Sequence, residues 1–217
     1  MLKVLQARLQ GRTLFERPSP TTEDELRAVV AGARGGDAKA LRTLLVRVGP
    51  PMLQVIRRVL GARHPDVEDT LQEATLAFVR ALPDFRGDCT TQHFSCRIAT
   101  LTALSTYRRR STRQDAQQQL SAAPGVDCDE VPGHDEGAQI VALRRRQAVR
   151  QLLNDLPDAQ AEALVLHCLV GLTVTELASS MGVPRETARS RLRLAKAALR
   201  KRIAGDPAAV DLLEDMA

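Results

Sequence analysis

Apolar residues recur at three- and four-residue intervals along most of the chain, and strict apolar–polar alternation is hard to find. Leu71, Ala74, Phe78 and Leu82 follow helical spacing and read as the core face of a helix from Val67 to Leu82. Breaks in the pattern fall at Gly35-Gly36, Gly49-Pro50-Pro51, Gly61 to Pro65 and Pro83 to Asp88. Four or more helices are therefore expected between Glu23 and Arg110. A second helical run goes from about Ala138 to Ala204, and its sharpest punctuation lies inside Gly171 to Arg202.

In that stretch Thr173 and Glu176 form a T-x-x-E capping box, flanked by Leu172 and Leu177 as a hydrophobic staple. A helix should start at Val174 and end near Met181, with Gly182 taking the left-handed conformation a sharp turn needs. Pro184 suits the first position of the next helix. Two helices joined so tightly make a helix-turn-helix. On the second helix Ala188, Leu192, Ala195 and Leu199 share an arc of about 60°. Arg185, Arg189, Arg193, Lys196 and Arg200 share a neighbouring arc of about 80°. An ordinary solvated face would mix glutamates among these bases. The one acid on this helix is Glu186, in the first turn, where the helix dipole favours it. A core face beside an unbroken cationic stripe fits entry into a DNA major groove.

Composition sharpens this picture. The chain has 217 residues and 44% hydrophobic content, but only 2% aromatics, so its cores rest on Leu, Val, Ile and Ala. The formal net charge of +5 is unevenly placed. From Arg144 to Arg202 twelve bases face five acids; from Arg113 to Leu143 one base faces six acids. An acidic strip thus precedes a basic domain. The fold expected is all-α: two small helical domains joined by a flexible acidic linker, the C-terminal one containing the helix-turn-helix. Its boundaries are an extension over 1–22, a first domain over 23–112, a linker over 113–137, a second domain over 138–204 and an acidic tail over 205–217. The N-terminus lacks the apolar run of a signal peptide, and no stretch could span a membrane. A cytoplasmic protein with reduced thiols, and without membrane insertion, is expected.

Catalytic patterns are not found: there is no Gly-rich phosphate loop, nucleophile elbow or HExxH. An enzyme is not expected, nor a cofactor. Cys89, His93 and Cys96 form a C-x3-H-x2-C cluster, but a structural zinc needs four ligands and the fourth is not evident. No metal is assigned. A thiol- or zinc-gated switch is kept as an alternative.

The residues from Leu172 to Arg200 resemble the C-terminal promoter-binding domain of bacterial RNA polymerase sigma factors, the extracytoplasmic-function (ECF) group above all. The match rests on Leu172, Glu176, Ala178, Gly182, Val183, Pro184, Thr187, Ser190, Arg191 and Leu192; Glu186 and Ala188 depart from it, where Gly and Val are usual. HPDVEDTLQEATLAFVRALPDFRGD resembles the family helix that docks on the clamp helices of the polymerase β′ subunit. The likeness covers about two-thirds of the chain and implies a factor that binds core RNA polymerase, through the β′ clamp helices and β flap, and directs it to promoter DNA. The core-binding positions would be Asp66, Glu68, Asp69, Gln72 and Glu73. The upstream promoter element would be met by Arg185, Glu186, Thr187, Arg189, Ser190, Arg191, Arg193 and Lys196. Arg185, Thr187, Arg189 and Arg191 are expected on bases; Lys196, Arg200 and Lys201 are expected on phosphate or in solvent.

In the family, promoter melting falls to a loop and helix that here read FRGDCTTQHFSCRIATL. The resemblance places Arg86, Gly87, Asp88, Thr90, Phe94, Arg97, Arg108 and Arg109 on the downstream element, with Thr91 and Gln92 in the same polar loop. Phe94 stands where Trp is usual, Cys96 replaces Tyr, Thr91 replaces Phe, and Phe94 also reads as core. A second reading is therefore a sigma-like regulator that docks on polymerase without melting DNA by itself. The family also leaves room for an anti-sigma partner.

Overall fold

The computed structural model describes residues 20–120 and 153–204, with side chains placed over 26–112 and 153–201. The first unit is built from α1 (Pro20–Arg34), α2 (Ala38–Leu60), α3 (Val67–Ala81), a 3₁₀ turn (Leu82–Asp84) and α4 (Thr91–Leu120). The second holds a helical turn at 153–155, α5 (Asp158–Val165), a π-helical turn (Leu166–Val170), α6 (Val174–Met181) and α7 (Arg185–Ala204). The described residues contain no strand, as the scarcity of alternation predicts.

The start of α2 is set by a side chain that satisfies free N–H groups. Asp37 Oδ1 accepts from Lys39 N at 2.8 Å and Ala40 N at 3.2 Å, which starts α2. The core of the first unit is aliphatic, with Leu44, Met52, Val55, Ile56 and Leu60 of α2 fully buried. α3 adds Ala74 and Phe78, both 0% exposed. Burying one such Phe contributes about 1.5–3 kcal/mol. Leu71 packs against this core partly buried, and Leu82 lies inside it, as their spacing predicts.

Two boundaries differ from expectation. Gly49-Pro50-Pro51 does not break its helix: α2 runs through it. The two prolines remove two backbone donors. Yet the buried stripe continues on both sides, with Leu44 and Val48 before them and Met52 and Val55 after. Burial on both flanks outweighs the lost hydrogen bonds, and Val46 and Pro50 lie on the exposed side. Likewise α4 continues past Ser111 to Leu120, so the helix extends into what reads as linker. The remainder of the linker, the extension before Pro20 and the acidic tail, with its Asp206-Pro207 start signal, lie outside the described residues.

The two units pack together. α4 meets α5, the π turn and α6, and α2 meets the π turn. No helix among the described residues is long and apolar enough to cross a membrane.

Candidate nucleic-acid interface

The helix-turn-helix forms by local chemistry. Thr173 Oγ1 accepts from Glu176 N at 3.3 Å, and Thr173 N donates to Glu176 Oε2 at 2.8 Å, closing the capping box. Leu172 and Leu177 are 2% and 0% exposed. At the other end of α6, Val183 N donates to Ala178 O (3.1 Å) and Gly182 N to Ser179 O (3.3 Å). This paired pattern is a Schellman stop, and it needs the left-handed φ of +64° that Gly182 adopts. Pro184 stands one position earlier than expected, since its carbonyl accepts the first helical bond of α7, from Ala188 N.

On α7 Ala188, Leu192 and Ala195 are buried and Leu199 packs partly buried against the core. Arg185, Glu186, Arg189, Arg193, Arg200 and Lys201 are exposed, while Thr187, Ser190 and Arg191 are half-buried. The apolar and cationic arcs are therefore real faces of the helix. Two members have local partners. Arg189 Nη1 donates to Glu186 Oε1 at 2.9 Å. Lys196 is half-buried, with Nζ 3.1 Å from Nε2 of His167. His167 is half-buried, carried by the π turn, and its Nδ1 bonds Leu172 O at 2.8 Å. Because a carbonyl only accepts, Nδ1 carries the proton and Nε2 accepts from Lys196. Burial, and secondarily the Lys196 charge, holds the His167 pKa below its ordinary value against the opposing pull of the Leu172 bond.

The polymerase-facing candidates lie on α3 and the bend before it. Glu68, Asp69, Gln72 and Glu73 are exposed and Asp66 is half-buried. Two of them pair with arginines of α4: Glu73 accepts from Arg109 at 3.2 Å and Asp66 from Arg110 at 3.3 Å. Arg109, expected on DNA, thus shares its charge with a residue expected on polymerase.

The loop and α4 start differ most from the expected downstream-element site. Arg86, Gly87 and Asp88 are exposed, and Gly87 has a φ of +81°. Thr90 instead caps α4: its Oγ1 accepts from His93 N at 3.1 Å and its carbonyl from Phe94 N at 3.0 Å. Thr91 is only 1% exposed, so it faces the core rather than a base. Phe94 stacks on Phe85 with centroids 4.6 Å apart and tilts against Phe78 at 5.9 Å. Both readings of Phe94 have some basis, since it is half-buried and packed against the core.

Arg97 and Arg108 turn toward the second unit. Arg97 Nε donates to Glu162 Oε1 at 2.6 Å. Arg108 pairs with Asp158, and its Nη2 donates to Leu156 O at 2.7 Å and Leu153 O at 3.3 Å. Glu162, Asp158 and His167 were not predicted as partners. A single sequence pairs residues only at helical spacing, and these contacts span 65, 50 and 29 positions.

The C-x3-H-x2-C cluster does not assemble a site. Cys96 is fully buried and desolvation pushes its pKa up to about 12, which keeps the thiol protonated and a poor ligand. Cys168 is shifted upward by burial as well. No group of three His, Cys, Asp or Glu among the described residues could hold a metal ion.

Comparison with known proteins agrees with this geometry. Residues 44–113 match the family model described as sigma-70 region 2, and residues 146–199 the one described as sigma-70, region 4. The RNA polymerase sigma factor CnrH of Cupriavidus metallidurans is 30% identical over 182 residues, covering 82% of this chain and 93% of that protein. The ECF RNA polymerase sigma factor SigD of Mycobacterium tuberculosis is 31% identical, covering 78% and 80%. The ECF RNA polymerase sigma-E factor of Escherichia coli K12 is 29% identical, covering 81% and 92%. The solved structure of CnrH in complex with the cytosolic domain of CnrY superposes with a TM-score of 0.52 at 23% identity, covering 83% of this chain and 97% of that one. With both sigma regions in order and relatives matched over most of their length, the chain belongs to the ECF RNA polymerase sigma factors.

Proposed function

We propose that this protein binds core RNA polymerase and directs it to promoters with two elements, one met by each unit. The observation that carries this is the exposed arginine face of α7, held by a capped, sharply turned helix-turn-helix, in a chain that also has a sigma region 2. Arg185, Thr187, Arg189 and Arg191 would read the upstream element, with Glu186, Ser190, Arg193 and Lys196 beside them. Glu68, Asp69, Gln72, Glu73 and Asp66 would meet the β′ clamp helices, and the second unit the β flap. Arg86, Gly87, Asp88, Thr90, Phe94, Arg97, Arg108 and Arg109 would serve the downstream element. The units would run over 23–112 and 138–204, joined through the acidic segment 113–137. The role is one of binding and positioning in the cytoplasm rather than catalysis. A protein partner that holds the factor inactive, an anti-sigma factor, fits the likeness to CnrH, which was solved with another protein bound.

In vitro transcription with core polymerase, with starts mapped across the source genome, tests the reading. Discrete starts that share two spaced elements support it; no stimulation over core alone overturns it. The enclosure of Phe94 between Phe85 and Phe78 favours a second reading, docking without unaided melting. Abortive synthesis on a pre-melted promoter but not on duplex would select that one.

A further inference from the structure

α1 contributes no residue to either promoter-facing surface, yet its last residue holds the loop expected on the downstream element. Arg34 Nη2 donates to the carbonyl oxygen of Pro83 at 2.7 Å, across 49 positions of sequence. An arginine in the last turn of a helix ordinarily caps carbonyls of its own helix. Here the turn after α1 already serves them: Gly35 N donates to Ala31 O (3.1 Å), Gly36 N to Ala33 O (3.2 Å) and Asp37 N to Gly32 O (3.1 Å). The guanidinium is left to reach across. α1 is itself fixed, with Val30 buried and α2 so close that a Cβ added at Gly32 would stand 3.0 Å from Ala40 Cβ. At the other end of the bond, Pro83 lies in the 3₁₀ turn where the helical path stops. Phe85 N closes that turn on Leu82 O at 3.2 Å, and the chain runs extended at Phe85. The last carbonyls of a helical segment lack partners within it, and Arg34 supplies one. The exposed residues Arg86, Gly87 and Asp88 follow directly. Their far end is held by the Thr90 cap and their near end by the stacking of Phe85 on Phe94 at 4.6 Å. Arg34 fixes the turn from which they leave.

We propose that Arg34 is a positioning residue for the loop of Arg86, Gly87 and Asp88, and that through it α1 sets the rate and base preference of promoter melting without touching DNA or polymerase. A loop tied at both ends presents its polar groups in one arrangement, so less ordering is required when a base is captured. This rests on the assignment of that loop to the downstream element.

The test uses the full chain assembled with core polymerase. It reads open-complex formation by permanganate reactivity of unpaired thymines, and base preference on a promoter library randomised at the downstream element. Arg34→Met keeps the apolar stem and removes the donor. Arg42→Met, at an exposed arginine of α2, is the charge-matched control. Arg34→Met should slow opening about fivefold, the rate equivalent of one net hydrogen bond, and flatten the base preference. Core affinity should stay at the wild-type value, and Arg42→Met should change none of the three. Arg34→Lys keeps a donor on a stem of similar length and should recover most of the rate and preference. In an Asp88→Ala background the preference is already relaxed, so adding Arg34→Met should relax it no further if the arginine acts through the loop. Should circular dichroism show Arg34→Met unfolded, Arg34→Gln takes the same readouts. The proposal is overturned if a folded Arg34 variant lacking the contact behaves as Arg42→Met, or if it slows opening at every base alike with the preference intact, the mark of a merely structural role. Failure of the functional reading looks different: the wild type itself would then give no promoter-specific transcripts with core polymerase.

Discussion

Lys196 donates from Nζ to Nε2 of His167 across 3.1 Å, while the other ring nitrogen holds Leu172 O at 2.8 Å. The imidazole therefore links the π turn, the start of the helix-turn-helix and the cationic face of α7. The link exists only while His167 is neutral, since imidazolium has no acceptor.

Acid should weaken this link. The folded pKa of His167 lies below 6.5, so as pH falls the unfolded chain takes up the proton first. Its contribution is complete above about 6.5 and declines as pH drops below that value toward the folded pKa. Thermal melts between pH 5 and 8 should show a drop at the acid end, reduced in His167→Gln. Identical pH profiles for the two proteins would exclude His167 as the cause. Lys196→Ala should lower stability as well as weaken DNA binding evenly across sequences, because the lysine braces α7.

Arg189 is prepaid with a partner, Glu186, at 2.9 Å, but both side chains are more than half exposed. Such pairs are worth about 0–1 kcal/mol, less than the 1–3 kcal/mol a bidentate base contact supplies. DNA should therefore win the arginine. Arg189→Ala should cost about 1–3 kcal/mol on the cognate upstream element and relax sequence preference there. Glu186→Gln should tighten binding to cognate and scrambled duplex alike. Equal losses on both duplexes for Arg189→Ala would show that it reads no base.

Core binding should fail when the acid face of α3 is reversed. Asp69→Lys with Glu73→Lys should abolish co-purification with core polymerase while helix content survives, because both side chains are exposed and support no core packing. Glu73→Lys also faces Arg109, which sits 3.2 Å from Glu73 in the wild type. The single change Asp69→Lys separates loss of partner contact from this repulsion. Holoenzyme assembly with unchanged affinity by the folded double variant would remove α3 from the interface.

Much of this was legible in advance, and for a local reason. Capping box, Schellman glycine and core stripe are built from contacts no more than five positions apart, so Thr173, Glu176, Gly182, Ala188 and Leu192 announce their own roles. The sequence misleads at Pro50-Pro51, where a rule about single residues loses to burial by Val48 and Met52 on either side. It is silent on Glu162 and His167, whose meaning depends on where a distant helix comes to rest. Thr91 shows the intermediate case: its family position suggested a base-facing loop, but the turn at Thr90 rotates it into the core.

That rotation narrows the last prediction, which concerns promoter melting. With Thr90 capping α4 and Thr91 buried, the exposed polar groups left to meet a base are Arg86, the Gly87 backbone and Asp88, with the half-buried Gln92 beside them. Phe94 adds at most one aromatic edge, because its ring already stacks on Phe85. Stacking is worth about 1–3 kcal/mol per base, so capture here must lean on hydrogen bonds and should be selective. Gly87 sits at a φ of +81° with open space around it, so Gly87→Ala meets no clash and costs about 1–2 kcal/mol through backbone strain alone. It should slow open-complex formation while leaving core binding intact, and Asp88→Ala should broaden the set of active promoters. Phe94→Ala should differ in kind, lowering stability by up to about 3–5 kcal/mol before any effect on melting is read. A promoter library randomised at the downstream element separates these. If transcription tolerates every base in the wild type, and Asp88→Ala changes nothing, the loop reads no base.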